Sequence, residues 1–211
     1  CHNNPVNRID PDGRDDYYSV GCQFLFRDSK KTDRIIIRDL VSYSTKQQGW
    51  EFGPNPDTPI EQTVLSAEAY SKIFTNILSE MKDVDIYLLH NQSVSVVVSP
   101  NDYDIESTFN DPYSAFSSEG VVNAATQHLN GVKKITACIN YLGASDNRKL
   151  FATLSNVQNL LGVHEYIGHG VKGWSGSNHK LVYKNQFKHP SWKRTTGYFK
   201  RQELSNYQKV K

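Results

Sequence analysis

The chain has 211 residues, of which 37% are apolar and 22% charged, enough hydrophobic material for one buried core and a composition unlike that of a disordered segment. No run approaches the roughly 20 consecutive apolar residues of a transmembrane helix, so no membrane span is expected. The net charge of +2 conceals an asymmetry: residues 172–211 carry ten Lys or Arg against one acid, leaving fourteen against twenty-one in the remainder. A basic tail of this kind suits nucleic acid or an acidic partner, or simply forms a solvated face. Three cysteines, Cys1, Cys22 and Cys138, are too few and too widely spaced for a disulfide framework or a metal knuckle, and Cys22 and Cys138 are expected in the core.

In chain order, residues 1–16 are rich in Asn, Pro, Asp and Gly and lack apolar periodicity, which predicts a connector. Within it, Asn3-Asn-Pro-Val-Asn-Arg-Ile-Asp-Pro-Asp-Gly13 resembles the Asn-Pro-x-x-x-x-Asp-Pro-x-Gly motif that closes the repeat shell of RHS-repeat polymorphic-toxin proteins. The resemblance implies that residues 17–211 form a single C-terminal effector domain of a secreted or cell-surface bacterial protein. It also implies two partners, the RHS shell of the parent chain and an immunity protein.

Residues 17–26 and 34–43 are β-branched and aromatic runs separated by a polar segment, the pattern of a hairpin. Residues 53–59, with three prolines and a glycine, predict a loop. Apolar positions at Ala69, Ile73, Ile77 and Met81 then mark one face of a helix over 66–81, with Ser66 as its N-cap. Strands are expected at 85–89 and 93–98 with a turn at Asn91-Gln92, a long loop at 101–118, and a further strand at 134–141. In the last third, Ser145 or Asp146 can cap a helix running through Leu150, Leu154, Val157, Leu160 and Leu161 into a histidine motif, and shorter helices are expected at 179–188 and 190–207. The fold class is therefore α+β: a mostly antiparallel sheet in the first two-thirds, with the motif helix packed on one face and further short helices following.

The motif is Gly162-Val-His-Glu-Tyr-Ile-Gly-His-Gly170. A zinc hydrolase needs two or three ligands, an open position, and a carboxylate to accept the proton of the attacking water; His164, Glu165 and His169 supply those residue types. The two histidines are five positions apart, about 140° on an ideal α-helix. They can meet one metal only if the helix loosens, and Gly168 and Gly170 flank the second histidine where a π-type widening would fall. The string His-Glu-Tyr-Ile-Gly-His resembles the His-Glu-x-x-Gly-His motif of dipeptidyl peptidase III-type zinc peptidases. That resemblance implies His164 and His169 as Zn2+ ligands, Glu165 as base, and a protein or peptide substrate.

No acidic ligand motif follows the histidines, so the third ligand is sought among His179, His189, the lone downstream acid Glu203 or an upstream residue. His179, after the turn-forming Gly-Trp-Ser-Gly-Ser segment, is preferred, with Tyr183 one turn later as an oxyanion donor and His189 and Gln186 as substrate-positioning groups. An undistorted helix would instead pair Glu165 with His169 and leave His164 as the acid–base group. Trp50, Trp174, Trp192 and Tyr166 are expected to serve packing, and His90 and His128 ordinary hydrogen bonding. Two other functional classes remain open on the sequence: a metal-independent nuclease using the histidines and the basic tail, and a non-enzymatic interaction domain.

Overall fold

A computed structural model describes residues 14–38, 40–44, 49–52, 57–85, 89–99, 123–129, 132–141 and 146–210. The RHS-like segment and the expected loop at 101–118 lie outside them. The class is α+β, with strands in the first two-thirds and helices in the last. Nine strands are described: β1 (Asp16–Ser19), β2 (Phe24–Arg27), β3 (Ile35–Arg38), β4 (Leu40–Ser44), β5 (Gly49–Phe52), β6 (Thr58–Pro59), β7 (Leu89–Ser99), β8 (Ala124–Leu129) and β9 (Val132–Asn140). They form a four-stranded sheet in the order β2-β1-β3-β6, a β4-β5 hairpin and a three-stranded sheet in the order β7-β9-β8. The sheets are mixed, because β1 runs parallel to β3 and β7 parallel to β9, while the other pairings are antiparallel.

The expected hairpin between 17–26 and 34–43 does not form. The first run folds on itself, β1 against β2, through a turn in which Cys22 takes φ 66° and donates its N–H to the Ser19 carbonyl. This small turn removes Cys22 from the deep core, and it is only partly buried. The second run then enters beside β1 in parallel. The expected turn at Asn91-Gln92 is instead an irregularity within β7, where the register against β9 shifts between Leu89 and Val94.

The first strand begins at Asp16, with Asp15 and Asp16 both buried at its start. Arg27 clasps Asp16, with Nη2 donating to Oδ2 at 2.6 Å, and reaches Glu80 at 2.8 Å. Arg34 donates to Asp15 through Nε at 3.1 Å and Nη2 at 2.8 Å. These pairings keep charged groups satisfied where water is excluded.

Helix α1 (Ala67–Ser79) follows the sequence expectation closely: Ser66 Oγ accepts from the Ala69 N–H, and Ala69, Ile73 and Ile77 face inward. Each fully buried isoleucine contributes about 1.5–3 kcal/mol by leaving water. Its ring Phe74 stacks on Phe151, centroids 5.3 Å apart. The core joins this helix to Tyr18 and Ile35 of the first sheet, Ile135 of the last and Leu160 and Leu161 of the motif helix.

The helix expected to start at 145 or 146 is broken. Asp146 Oδ1 accepts the Arg148 N–H beside a 3-10 turn (Arg148–Phe151) whose N-cap is Asn147, and α2 (Leu154–Val157) starts afresh with Thr153 Oγ1 accepting from the Asn156 N–H. Asp33, held at φ 59°, accepts the Ser155 N–H on its carboxylate and the Leu154 N–H on its carbonyl, tying the first sheet to the start of α2. Beyond lie α3 (His179–Lys188), α4 (Pro190–Arg194) and α5 (Gly197–Lys209), the last two separated where Thr195 and Thr196 turn extended and Thr196 caps α5.

Candidate metal centre

From α2 the chain continues without interruption into a π-helix, Gln158–Val171, which contains the whole motif. In a π-helix hydrogen bonds run from i to i+5, so residues five apart come back to nearly the same face. Asn159, His164 and His169 share that spacing. The ring centroids of His164 and His169 are 5.1 Å apart. The widening anticipated from the glycines is present and extends over the entire segment.

Gly168, and Gly162 at the motif's start, serve close packing. A Cβ on Gly168 would lie 2.6 Å from Val182 Cγ1, and one on Gly162 would lie 2.4 Å from Met81 Sδ. Gly168 thus lets α3 press against the π-helix, and α3 delivers the third histidine. His179 is its first residue, with Tyr183 and Gln186 at i+4 and i+7 on the same face. His179 Nε2 stands 3.2 Å from His164 Nε2, and its ring centroid is 4.8 Å from that of His169. One nitrogen from each of His164, His169 and His179 lies within 4.8 Å of the others, close enough to hold a metal ion.

Burial disfavours the charged form of each imidazole. Burial, followed by the nearby His169 and His179, lowers His164 well below its ordinary range, against a hydrogen bond with Gln186. Burial and then His169 push His179 down to about 4. Burial also lowers His169, offset in part by a hydrogen bond to the Trp174 backbone. Neutral rings present lone pairs, the form in which imidazole ligates metals. At the outer edge, His164 Nδ1 meets Gln186 Oε1 at 2.9 Å, and Gln186 Nε2 donates to Glu203 Oε2 at 2.8 Å. Such partners fix ring orientation in metal sites.

Glu165 is not in the convergent group. Its Oε2 accepts from the Thr126 hydroxyl on β8 at 2.9 Å, on the side where the π-helix packs against the last sheet. Burial raises its carboxyl to about 7, with the Thr126 hydrogen bond opposing. The alternative in which Glu165 and His169 pair on a regular helix is not the arrangement found. The Tyr183 ring packs edge-on to His164 at 4.7 Å and lies 5.1 Å from His179, and burial keeps its hydroxyl protonated.

His189 stands apart from the cluster. It caps α4, its Nδ1 accepting from the Ser191 N–H and lying 2.8 Å from Ser191 Oγ. The proline that follows it starts the next helix, so this imidazole is occupied in capping. Gln186, expected to touch substrate, is fully buried between His164 and Glu203. Glu203, 3.9 Å from His164 Nδ1, is an outer partner rather than one of the three convergent groups. Trp192 packs against the core and Phe187, as expected, and Tyr166 is buried with its hydroxyl donating to the Asp85 carbonyl. His128 is exposed on β8, and the side chains of Trp50 and His90 lie outside the described residues.

Sequence reading missed Thr126. Its strand, Ala-Ala-Thr-Gln-His-Leu, has little β-branched character, and only pairing with β9 makes it a strand. No local signal links it to a glutamate 39 positions away. Comparison of the chain with family models, curated proteins and solved structures finds no match.

Proposed function

We propose that His164, His169 and His179 hold a zinc ion and that the chain is a zinc-dependent, metallopeptidase-like hydrolase. The observation that carries this reading is the convergence of three imidazoles from a π-helix and the first residue of α3. The donor set fits the ion: three nitrogens are available, and His164 has its other nitrogen engaged by Gln186. Three protein ligands are also the number that hydrolytic zinc sites use. When bound, zinc supplies Lewis acidity that polarises a carbonyl and makes water more acidic.

Glu165 is the proton acceptor in this reading. A carboxyl at about 7 has a basicity matched to neutral pH, and the Thr126 hydroxyl holds one of its oxygens in place. Tyr183, its hydroxyl protonated beside two of the histidines, is the donor to a developing oxyanion. The RHS-like motif supports placing this hydrolase as the effector domain of a secreted or cell-surface polymorphic toxin, with a protein or peptide substrate and an immunity partner. Among the described residues no helix is long and apolar enough to cross a membrane.

The test is peptide hydrolysis by zinc-loaded protein with Glu165→Gln alongside. Turnover is expected to fall about 10²–10⁴-fold with zinc content unchanged. Turnover that survives both the substitution and chelation would contradict the reading. The exposed Lys180, Lys184, Lys188, Lys193 and Arg201 favour a second reading, a metal-independent nuclease. That reading requires nucleic-acid cleavage that persists in chelator and weakens steeply with salt.

A further inference from the structure

The chain His164–Gln186–Glu203 is buried from end to end: Gln186 is 0% exposed, Glu203 2% and His164 5%. The three residues come from the π-helix, α3 and α5, so no local backbone requirement explains their alignment. An amide side chain is polar in one direction, with an acceptor oxygen at one end and a donor NH2 at the other. Gln186 presents its NH2 group to Glu203, Nε2 donating to Oε2 at 2.8 Å. The carbonyl oxygen is left to face His164, 2.9 Å from Nδ1.

A carbonyl oxygen accepts only, so Nδ1 must carry the imidazole proton. A neutral imidazole has a single N–H. With that proton on Nδ1, Nε2 is a bare lone pair, and Nε2 is the atom that lies 3.2 Å from His179 Nε2 inside the cluster. Reversing the amide would put an N–H donor against Nδ1, move the imidazole proton to Nε2, and block the site with a hydrogen.

We infer that Glu203, acting through the oriented amide of Gln186, is a positioning residue that fixes the tautomer of His164 and keeps its Nε2 lone pair directed at His169 and His179. The inference rests on the metal-centre reading for its consequence, but the tautomer is a property of the metal-free protein and can be read separately. Glu203 is itself held by a hydrogen bond with Asn206, so both ends of the relay are anchored.

The experiment uses the full chain, labelled with nitrogen-15, in chelator at about pH 8, above the ordinary range of imidazole titration. Long-range proton–nitrogen spectra report which ring nitrogen of His164 is protonated, and His164→Gln identifies its signals. Wild type is expected to show the Nδ1–H form. Glu203→Met, which removes the acceptor while filling similar volume, is expected to shift His164 towards the Nε2–H form and to weaken cobalt binding about 10- to 100-fold in chelator competition. The near-isosteric exchange Gln186→Glu with Glu203→Gln restores an acceptor against Nδ1 and leaves the number of buried carboxylates unchanged. It is expected to keep both the Nδ1–H form and the cobalt affinity, and it carries the test if Glu203→Met does not fold. An Nε2–H form in wild type, an unchanged tautomer in folded Glu203→Met, or loss of the Nδ1–H form in the exchanged pair would each overturn the inference. A wild type that takes up no cobalt while showing the expected tautomer shift would overturn the metal-centre reading and leave the relay standing.

Discussion

Asp15 and Asp16 of the first sheet and Glu165 and Glu203 of the helical third are all buried, yet their neighbours differ in kind. Each aspartate is met by a guanidinium, Asp15 by Arg34 and Asp16 by Arg27. Burial alone would raise Asp15, but hydrogen bonds from Arg34 and Thr32 outweigh it and hold the carboxyl below its ordinary value of 3.8. The glutamates face neutral donors instead, the Thr126 hydroxyl and the Gln186 amide, and burial carries both up to about 7. Buried charge that is fully compensated serves structure; buried carboxyls left near neutrality beside three histidines have the character of a working site. The contrast supports placing the proposed site in the last third of the chain.

The strongest way to break that contrast is to remove compensation from the sheet. Arg27→Ala leaves Asp16 buried and Glu80 without this partner, and unfolding in urea is expected to show a loss of about 3–5 kcal/mol, the scale for breaking a buried ion pair. Zinc affinity of the folded fraction should not change. A loss below about 1 kcal/mol would mean that the pair is not compensating charge.

A smaller effect is expected where the site elements touch. Gly168→Ala places a methyl 2.6 Å from Val182 Cγ1 and should cost about 1–3 kcal/mol while weakening zinc binding, because α3 and its His179 must move away. Adding Val182→Ala should recover the zinc affinity. No recovery would indicate that Gly168 acts through backbone freedom rather than space.

The sharpest comparison is the pH dependence of stability in chelator. Asp15 is depressed in the folded state, so its stabilisation is complete above about pH 4 and disappears as pH falls through the folded value. Glu165 and Glu203 are raised from 4.5 to about 7, so the folded state binds their protons more tightly, and stability should fall as pH rises between those values. Glu165→Gln should remove part of that decline and leave the acid limb intact. A decline unchanged by the substitution would show that this carboxyl does not titrate as described.

How much of this was legible beforehand depends on the range of the interaction. Helix α1 could be read because its cap and its apolar face lie within a few residues of each other, and α3 for the same reason. The π-helix was legible because two histidines five apart, bracketed by glycines, are incompatible with one metal on a regular helix. The placement of His179 was legible in outline from the turn before it. Strand pairing was not: the run from 17 to 26 contains its own turn at Cys22, and nothing in residues 34–43 signals that they enter in parallel. Nor was the partner Thr126, which meets the motif only through tertiary packing, while Glu203 was legible only as a possible ligand and Gln186 only as a substrate contact, and both are buried outside the three convergent imidazoles.

The central claim is tested most directly by X-ray absorption at the zinc edge on the reconstituted 211-residue chain. One zinc per chain with three imidazole nitrogens is expected, with occupancy or imidazole count falling in His164→Ala, His169→Ala and His179→Ala and unchanged in His189→Ala. A chain that takes up no zinc, or one whose zinc environment is the same after His179→Ala, would contradict it.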